Sequence, residues 1–106
     1  MQEKVKKFNN TKTVHTKIMP VPARLLDISS EIGELSKEYL KITKYGTKNF
    51  ETTQEFIIEY GDVLYSLLSL ADELNFSAEE CLNKALEKYE KRIKLNNNMG
   101  NINNKG

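Results

Sequence analysis

The chain has few of the residues that form disulfides or imidazole metal sites, since its 106 residues contain one cysteine, one histidine and no tryptophan. The single cysteine, Cys81, excludes a disulfide within the chain. No stretch approaches the roughly 20 apolar residues of a membrane span, and none follows the layout of a signal peptide. These absences favour a cytoplasmic protein with no membrane partner.

A large excess of charge of either sign is also missing. Sixteen basic and fifteen acidic residues leave a formal charge of +1, so no overall field would hold nucleic acid or an anionic membrane against the surface. Any function that depends on charge must therefore be local. With 39% hydrophobic and 29% charged residues, the composition is that of one soluble domain with a modest core.

Apolar residues recur at helical spacing in two long segments. The first helix is predicted from about residue 22 to 45, where Gly46 stops the pattern. The second is predicted from about 53 to 75, and it begins with a capping box formed by Thr52 and Glu55. Two such helices joined by a short connection predict an antiparallel hairpin.

A third helix is predicted to begin with a capping box formed by Ser77 and Glu80 and to end near residue 95. The predicted organisation is a polar N-terminal arm at 1–21, a helical domain at 22–95 and a disordered Asn-rich tail at 96–106. No strand pattern, internal repeat or second domain is visible. The predicted fold class is all-α: a helical hairpin plus a third helix, completed by oligomerisation.

Two pairs of carboxylates stand out, one on each helix of the predicted hairpin. Glu31 and Glu34 share a face beside the apolar arc of the first helix, and Glu59 and Asp62 share a face of the otherwise apolar second helix. Each pair alone is typical of a solvated face that pairs with lysine. Across a hairpin, however, four carboxylates would repel unless protons or cations compensate them, and a metal site is the simplest solution. All-oxygen ligands favour Mg²⁺, with Mn²⁺ as a substitute, and His15 lies outside the predicted helices.

The third predicted helix carries a row of cations. Lys84, Lys88 and Arg92 lie four residues apart and span about 12 Å, a length that suits a polyphosphate. The alternative is pairing with the neighbouring acids Glu80 and Glu87 at helical spacing. Together with a divalent metal, the row would form a phosphoryl-transfer site that works by positioning and charge neutralisation.

Three segments then carry a family resemblance: SEIGELSKE at 30–38, EYGDVLYSLLSLAD at 59–72 and KALEKYEKR at 84–92. In order and spacing they resemble the MazG-like all-α nucleoside triphosphate pyrophosphohydrolases, over about residues 22–93. The resemblance implies conversion of a nucleoside triphosphate to the monophosphate and pyrophosphate, and a role in nucleotide-pool house-cleaning. It implies catalytic, Mg²⁺-binding roles for Glu31, Glu34, Glu59 and Asp62 and phosphate-binding roles for Lys84, Lys88 and Arg92.

Two further acids are candidate site residues. Glu38 continues the acidic stripe of the first helix, and Asp72 follows Asp62 along one stripe of the second, although Asp72 is equally an ordinary acid at a helix C-terminus. Many relatives have aromatic residues near the N-terminus that help hold the base. This chain has only Phe8 and His15 there, so the base preference stays open.

Self-association is expected because the second helix is apolar nearly all the way round. Its residues Ile57, Leu64, Leu68 and Ala71 lie away from the acids and are expected to need cover from another chain. A homodimer or a dimer of dimers is therefore predicted, with the arms at 1–19 crossing to a neighbour. The alternative function is a non-catalytic helical adaptor or regulatory oligomerisation module, whose acids would meet basic residues of a partner.

Overall fold

The computed structural model describes residues 1–12 and 20–105, with side chains described for residues 1–11 and 20–98. These residues form four α-helices: α1 (Gln2–Lys12), α2 (Val21–Ile42), α3 (Gln54–Glu73) and α4 (Ala78–Lys105). The described residues contain no other regular element, so the predicted all-α class is confirmed. Among them, no helix combines the length and apolarity that a membrane crossing needs. The chain has two compact units, Met1–Phe76 with α1 to α3 and Ser77–Gly106 with α4.

The connection after α2 is a tight turn built from left-handed residues. Lys44, Tyr45 and Gly46 have φ of 47°, 57° and 87°, values that only glycine adopts without cost. Thr43 fixes the turn, because its hydroxyl donates to the carbonyl of Tyr39 at 3.1 Å and accepts from the amide of Gly46 at 3.2 Å. The turn reverses the chain and makes α2 and α3 the predicted antiparallel hairpin.

Helix α3 begins one residue later than the predicted capping box. The cap is Thr53 rather than Thr52, since the hydroxyl of Thr53 accepts from the amide of Phe56 at 3.1 Å. That geometry satisfies one of the free amides of the first helical turn. The end of α3 agrees with the prediction, as Asn75 has a φ of 62° just beyond the helix.

Helix α4 begins as predicted and continues further. The hydroxyl of Ser77 accepts from the amide of Glu80 at 3.2 Å, which confirms the predicted cap. The backbone stays helical to Lys105, beyond the predicted end near residue 95. Extending an existing helix needs no new nucleus, so a polar Asn-rich sequence can continue one that it would not start.

Residues 2–12 form a helix where the sequence pattern predicts none. Helix α1 packs against α3 of the same chain, with Val5 only 9% exposed and the Phe8 ring edge-on to Tyr65 at 5.9 Å between centroids. Gln2 also donates to the carbonyl of Phe76 at 3.0 Å. Too few apolar residues mark this helix for its periodicity to be detected. The expected arm at 1–19 is thus corrected for these residues, and 13–19 lie outside the described residues.

The core of the first unit lies between its three helices. It contains Ile28 from α2 together with Leu68 and Ala71 from α3, which are 8%, 7% and 2% exposed. Leu68 and Ala71 are therefore covered within their own chain, contrary to the expectation that another chain is needed. Leu64 is half-buried, and Ile57 remains exposed.

Candidate metal centre

Polar residues line the contact between α2 and α3 along one seam. On each helix they recur at alternating intervals of three and four residues, the spacing of positions that face a neighbouring helix. The seam comprises Arg24, Asp27, Glu31, Glu34 and Glu38 on α2 and Glu59, Asp62, Ser66, Ser69 and Glu73 on α3. Because the helices are antiparallel, Glu31 of α2 comes opposite Glu59 and Asp62 of α3.

Three carboxylates converge at the middle of this seam. Glu31 of α2 meets Glu59 and Asp62 of α3, and one oxygen from each lies within 4.8 Å of the other two. Glu31 and Glu59 are half-buried, while Asp62 is exposed. The arrangement holds charge at the edge of the hairpin, where a small ion can approach.

The negative charges of this cluster affect the pKa of Glu31. Partial burial is the largest cause that raises the pKa of Glu31 above its ordinary value of 4.5, and the negative charges of Asp62, Asp27, Glu59 and Glu34 raise it further. The folded chain therefore disfavours the ionised form of this carboxyl group. A bound cation would relieve the same repulsion.

The donor set fits a hard divalent cation. All three groups are carboxylates, and oxygen ligands are those that Mg²⁺ and Mn²⁺ prefer. Nitrogen or sulfur ligands, which zinc sites use, do not take part in this cluster. The residues present thus fit a divalent cation.

Comparison with known families identifies the chain. Residues 23–95 match the MazG nucleotide pyrophosphohydrolase domain. The chain belongs to this family. The matched segment contains both acidic pairs and the cationic row of α4.

A similar protein is the Bacillus subtilis (strain 168) protein named "Uncharacterized protein YpjD". It is 33% identical over 76 residues, which are 68% of this chain and 66% of the relative. The chain thus covers slightly less than two thirds of that protein's length. No solved structure matches the chain.

The remaining predicted ligands of this MazG chain lie outside the close cluster. Glu34 contributes to the field at Glu31, but its own carboxylate is 3.8 Å from the ammonium of Lys37 and its side chain is 53% exposed. Glu38, one turn nearer the C-terminus of α2, is half-buried. Asp72 lies near the end of α3, about 15 Å along the helix axis from Asp62. The structure thus brings together three of the four predicted ligands.

The predicted phosphate-binding residues lie on α4 in the second unit. Lys84, Lys88 and Arg92 are exposed, and the ammonium of Lys88 lies 5.0 Å from the ring centroid of Tyr89. Their four-residue spacing places them in one row along the helix. Their role toward phosphate stays a prediction, and His15 lies outside the described residues.

Sequence reasoning missed the part of the seam that is not acidic. Arg24 is 8% exposed and bonds Glu73, while Ser66 donates to Asp27 at 3.1 Å. A detectable signal existed, since Ser66, Ser69 and Glu73 continue the spacing of Glu59 and Asp62 as polar positions in an apolar helix.

The raised pKa of Glu31 yields a prediction about stability. Since the folded pKa exceeds the ordinary value, the contribution of Glu31 to the free energy of unfolding is complete at low pH and is lost as pH rises through the folded pKa. We expect Glu31→Gln to raise Tm at pH 7 in EDTA and to lose this advantage near pH 4. Thermal melts across this range would measure it, with exposed Glu79→Gln as the control. A lower Tm for Glu31→Gln at pH 7 would contradict the repulsion.

Proposed function

We propose that this MazG chain is a divalent-metal-dependent nucleoside triphosphate pyrophosphohydrolase, which converts a nucleoside triphosphate to the monophosphate and pyrophosphate. The observation that carries the proposal is the cluster of Glu31, Glu59 and Asp62, whose oxygens lie within 4.8 Å of one another. The family match supports the reaction class. Mg²⁺ is the proposed cofactor, with Mn²⁺ as a substitute.

In this reaction water adds to the α-phosphorus and the α–β phosphoanhydride bond breaks. Glu31, Glu59 and Asp62 would hold the metal, with Glu34 at its edge next to Lys37. A bound divalent cation supplies neutralisation of phosphate charge and a lower pKa for attacking water. The hairpin itself supplies position, because its two helices fix the carboxylates before substrate binds.

The cationic row of α4 completes the proposal. Lys84, Lys88 and Arg92 would bind the phosphate chain through charge-assisted hydrogen bonds, and Arg92 could do so with two parallel donors. Glu38 on α2 and Asp72 near the end of α3 are assigned supporting roles. The nucleoside triphosphate is the proposed substrate, whereas the sequence fixes neither base nor sugar.

Loss of the metal ligands tests the reaction. We expect Glu31→Gln, Glu59→Gln and Asp62→Asn each to reduce Mg²⁺-dependent pyrophosphate release by at least about a hundredfold, because each removes one charge from the ligand set. Glu34→Gln is expected to have the same effect if its carboxylate leaves Lys37 for the metal. The measurement is pyrophosphate release across standard and damaged nucleoside triphosphates.

The design separates loss of chemistry from loss of folding. Glu79→Gln, an exposed acid outside the seam, is the matched control and should keep wild-type turnover. Circular dichroism should show unchanged helix content in every variant. The proposed reaction would be contradicted by release of orthophosphate instead of pyrophosphate, or by wild-type turnover of Asp62→Asn. If the chain shows neither turnover nor nucleotide binding, the alternative function of a non-catalytic helical adaptor is favoured.

The α4 cations generate a prediction about binding. We expect Lys88→Gln and Arg92→Gln to weaken binding of a nucleoside triphosphate about tenfold or more and to leave nucleoside binding unchanged, because only the phosphates need positive charge. Calorimetric titration of each ligand would measure both affinities. Lys94→Gln, on another face of α4, is the control. Equal small effects on both ligands would assign Lys88 and Arg92 to a solvated face.

Exposed apolar residues of the hairpin support self-association. On α2 and α3 they recur every seven residues and form a stripe on each helix. The two stripes consist of Leu25, Ile32 and Tyr39 (51%, 48% and 46% exposed) and Tyr60, Leu67 and Leu74 (59%, 45% and 46% exposed). Ile32 and Tyr60 directly follow the site acids Glu31 and Glu59, about 100° round each helix. A homodimer or dimer of dimers would cover this surface and leave the acids open.

A charge placed in the stripe tests this assembly. We expect Leu67→Glu to yield a monomer by light scattering during size-exclusion chromatography at low micromolar concentration, because burial of a carboxylate in an apolar interface is unfavourable. Leu26→Glu, at a site that is 73% exposed and outside the stripe, should keep the wild-type mass. A wild-type chain that is monomeric and active would rule out the predicted oligomer.

A further inference from the structure

A nearly buried arginine ties the ends of the hairpin together. Arg24 stands in the first turns of α2, and its Nε and Nη2 both donate to Oε1 of Glu73, at 3.1 Å and 2.8 Å. Glu73 is the last residue of α3, and its side chain is 14% exposed. The contact therefore joins the start of one helix to the end of the other.

The same arginine reaches toward the acidic cluster. Its Nη1 lies 3.8 Å from Oδ2 of Asp27, which also accepts a hydrogen bond from Ser66 at 3.1 Å. Asp27 lies four residues before Glu31, and Ser66 lies four residues after Asp62. The bond between Asp27 and Ser66 is thus one helical turn from the approach of Glu31 to Asp62.

This network is an inefficient way to stabilise a hairpin. The side chain of Arg24 is 9% exposed, so its charge has lost most of its water. Within the described part of the chain, Oε2 of Glu73 is buried without a hydrogen-bond partner. Apolar residues of similar volume often replace a buried ion pair at no loss of stability. A role in geometry explains the network better than a role in stability.

The geometry at stake is the register of α2 against α3. Apolar contacts between helices are non-directional, whereas the hydrogen bonds from Arg24 to Glu73 and from Ser66 to Asp27 depend on direction and favour one alignment. A slip of one turn would move the helices by about 5.4 Å. That displacement exceeds the 4.8 Å within which the oxygens of Glu31, Glu59 and Asp62 now meet.

We propose that Arg24 is a positioning residue that sets the register of α2 and α3, through Glu73 and the Asp27–Ser66 bond, and so aligns the three carboxylates. The part that concerns metal rests on the proposed function, whereas the part that concerns register does not. Arg24 itself touches neither metal nor substrate. It acts through the residues that it holds.

The decisive variant removes the charges as a pair. Arg24→Met with Glu73→Leu leaves no buried unpaired charge between these two positions and keeps similar volumes, so Tm should stay within a few degrees of wild type or rise. We expect its Mn²⁺ affinity, measured by electron paramagnetic resonance without nucleotide, to fall about tenfold or more. The matched control, Lys91→Met with Glu87→Leu, likewise replaces one cation and one glutamate, here at exposed positions of α4.

Register is measured separately, without metal. Spin labels at Leu26→Cys on α2 and Gln54→Cys on α3, in a Cys81→Ser chain diluted with unlabelled protein, would report the distance between helices along their axes. We expect a narrow distribution with Arg24 present. In the double variant the distribution should broaden or shift by several ångströms, up to the roughly 5.4 Å of one turn.

The outcomes divide cleanly. An unchanged distance distribution in a folded double variant overturns the inference, whatever its metal affinity. A wild-type chain that binds no Mn²⁺ refutes the metal centre but leaves the register measurement to decide. If the double variant does not fold, Arg24→Lys replaces it, since lysine keeps the charge but lacks the fork. That variant should broaden the distances at near-normal Tm, and unchanged distances would again overturn the inference.

Discussion

The organisation of the first unit depends on one constraint: the seam between α2 and α3 is polar where a helical hairpin would ordinarily be apolar. On α2, the positions that face the other helix are Arg24, Asp27 and Glu31. From α3, Glu73 accepts from Arg24, and Ser66 donates to Asp27. Ser66 is small enough to let the helices approach and still donates a hydrogen bond to Asp27. A neutral seam of leucines would be simpler to fold, but it could not hold a cation.

The acids and the apolar core oppose each other energetically. The field that raises the pKa of Glu31 is repulsion stored in the folded state, and the buried residues Ile28, Leu68 and Ala71 offset it. A cation bound only by the folded hairpin would add stability in proportion to its concentration over its Kd. Metal binding at the proposed site would therefore be coupled to folding, and the metal-free chain would be the less stable form.

Sequence patterns predicted the parts of the fold that repeat and missed those that rest on single contacts. The spacing of apolar residues predicted the hairpin, and the paired acids predicted one site of Glu31, Glu34, Glu59 and Asp62, of which Glu31, Glu59 and Asp62 lie together. Helix α1 was not predicted because it is held by single contacts that form only when the chain folds. Phe8 contacts Tyr65, and Asn9 donates to Ser69. The cap was predicted at Thr52 instead of Thr53 because either of two adjacent threonines can cap the helix, and periodicity does not define a helix end to a single residue.

The polar seam also explains why apolar side chains remain on the outside. On α3 the positions that face α2 hold acids and serines, so Tyr60, Leu67 and Leu74 lie on another face and stay about half exposed. Helix α1 packs against α3 at Tyr65 and Ser69, and Tyr60, Leu67 and Leu74 stay exposed. Apolar surface that a helix cannot bury inward must be covered by another chain or remain in water. The proposed self-association thus has a physical basis in the seam, since the acids and serines that face α2 leave Tyr60, Leu67 and Leu74 to the outside.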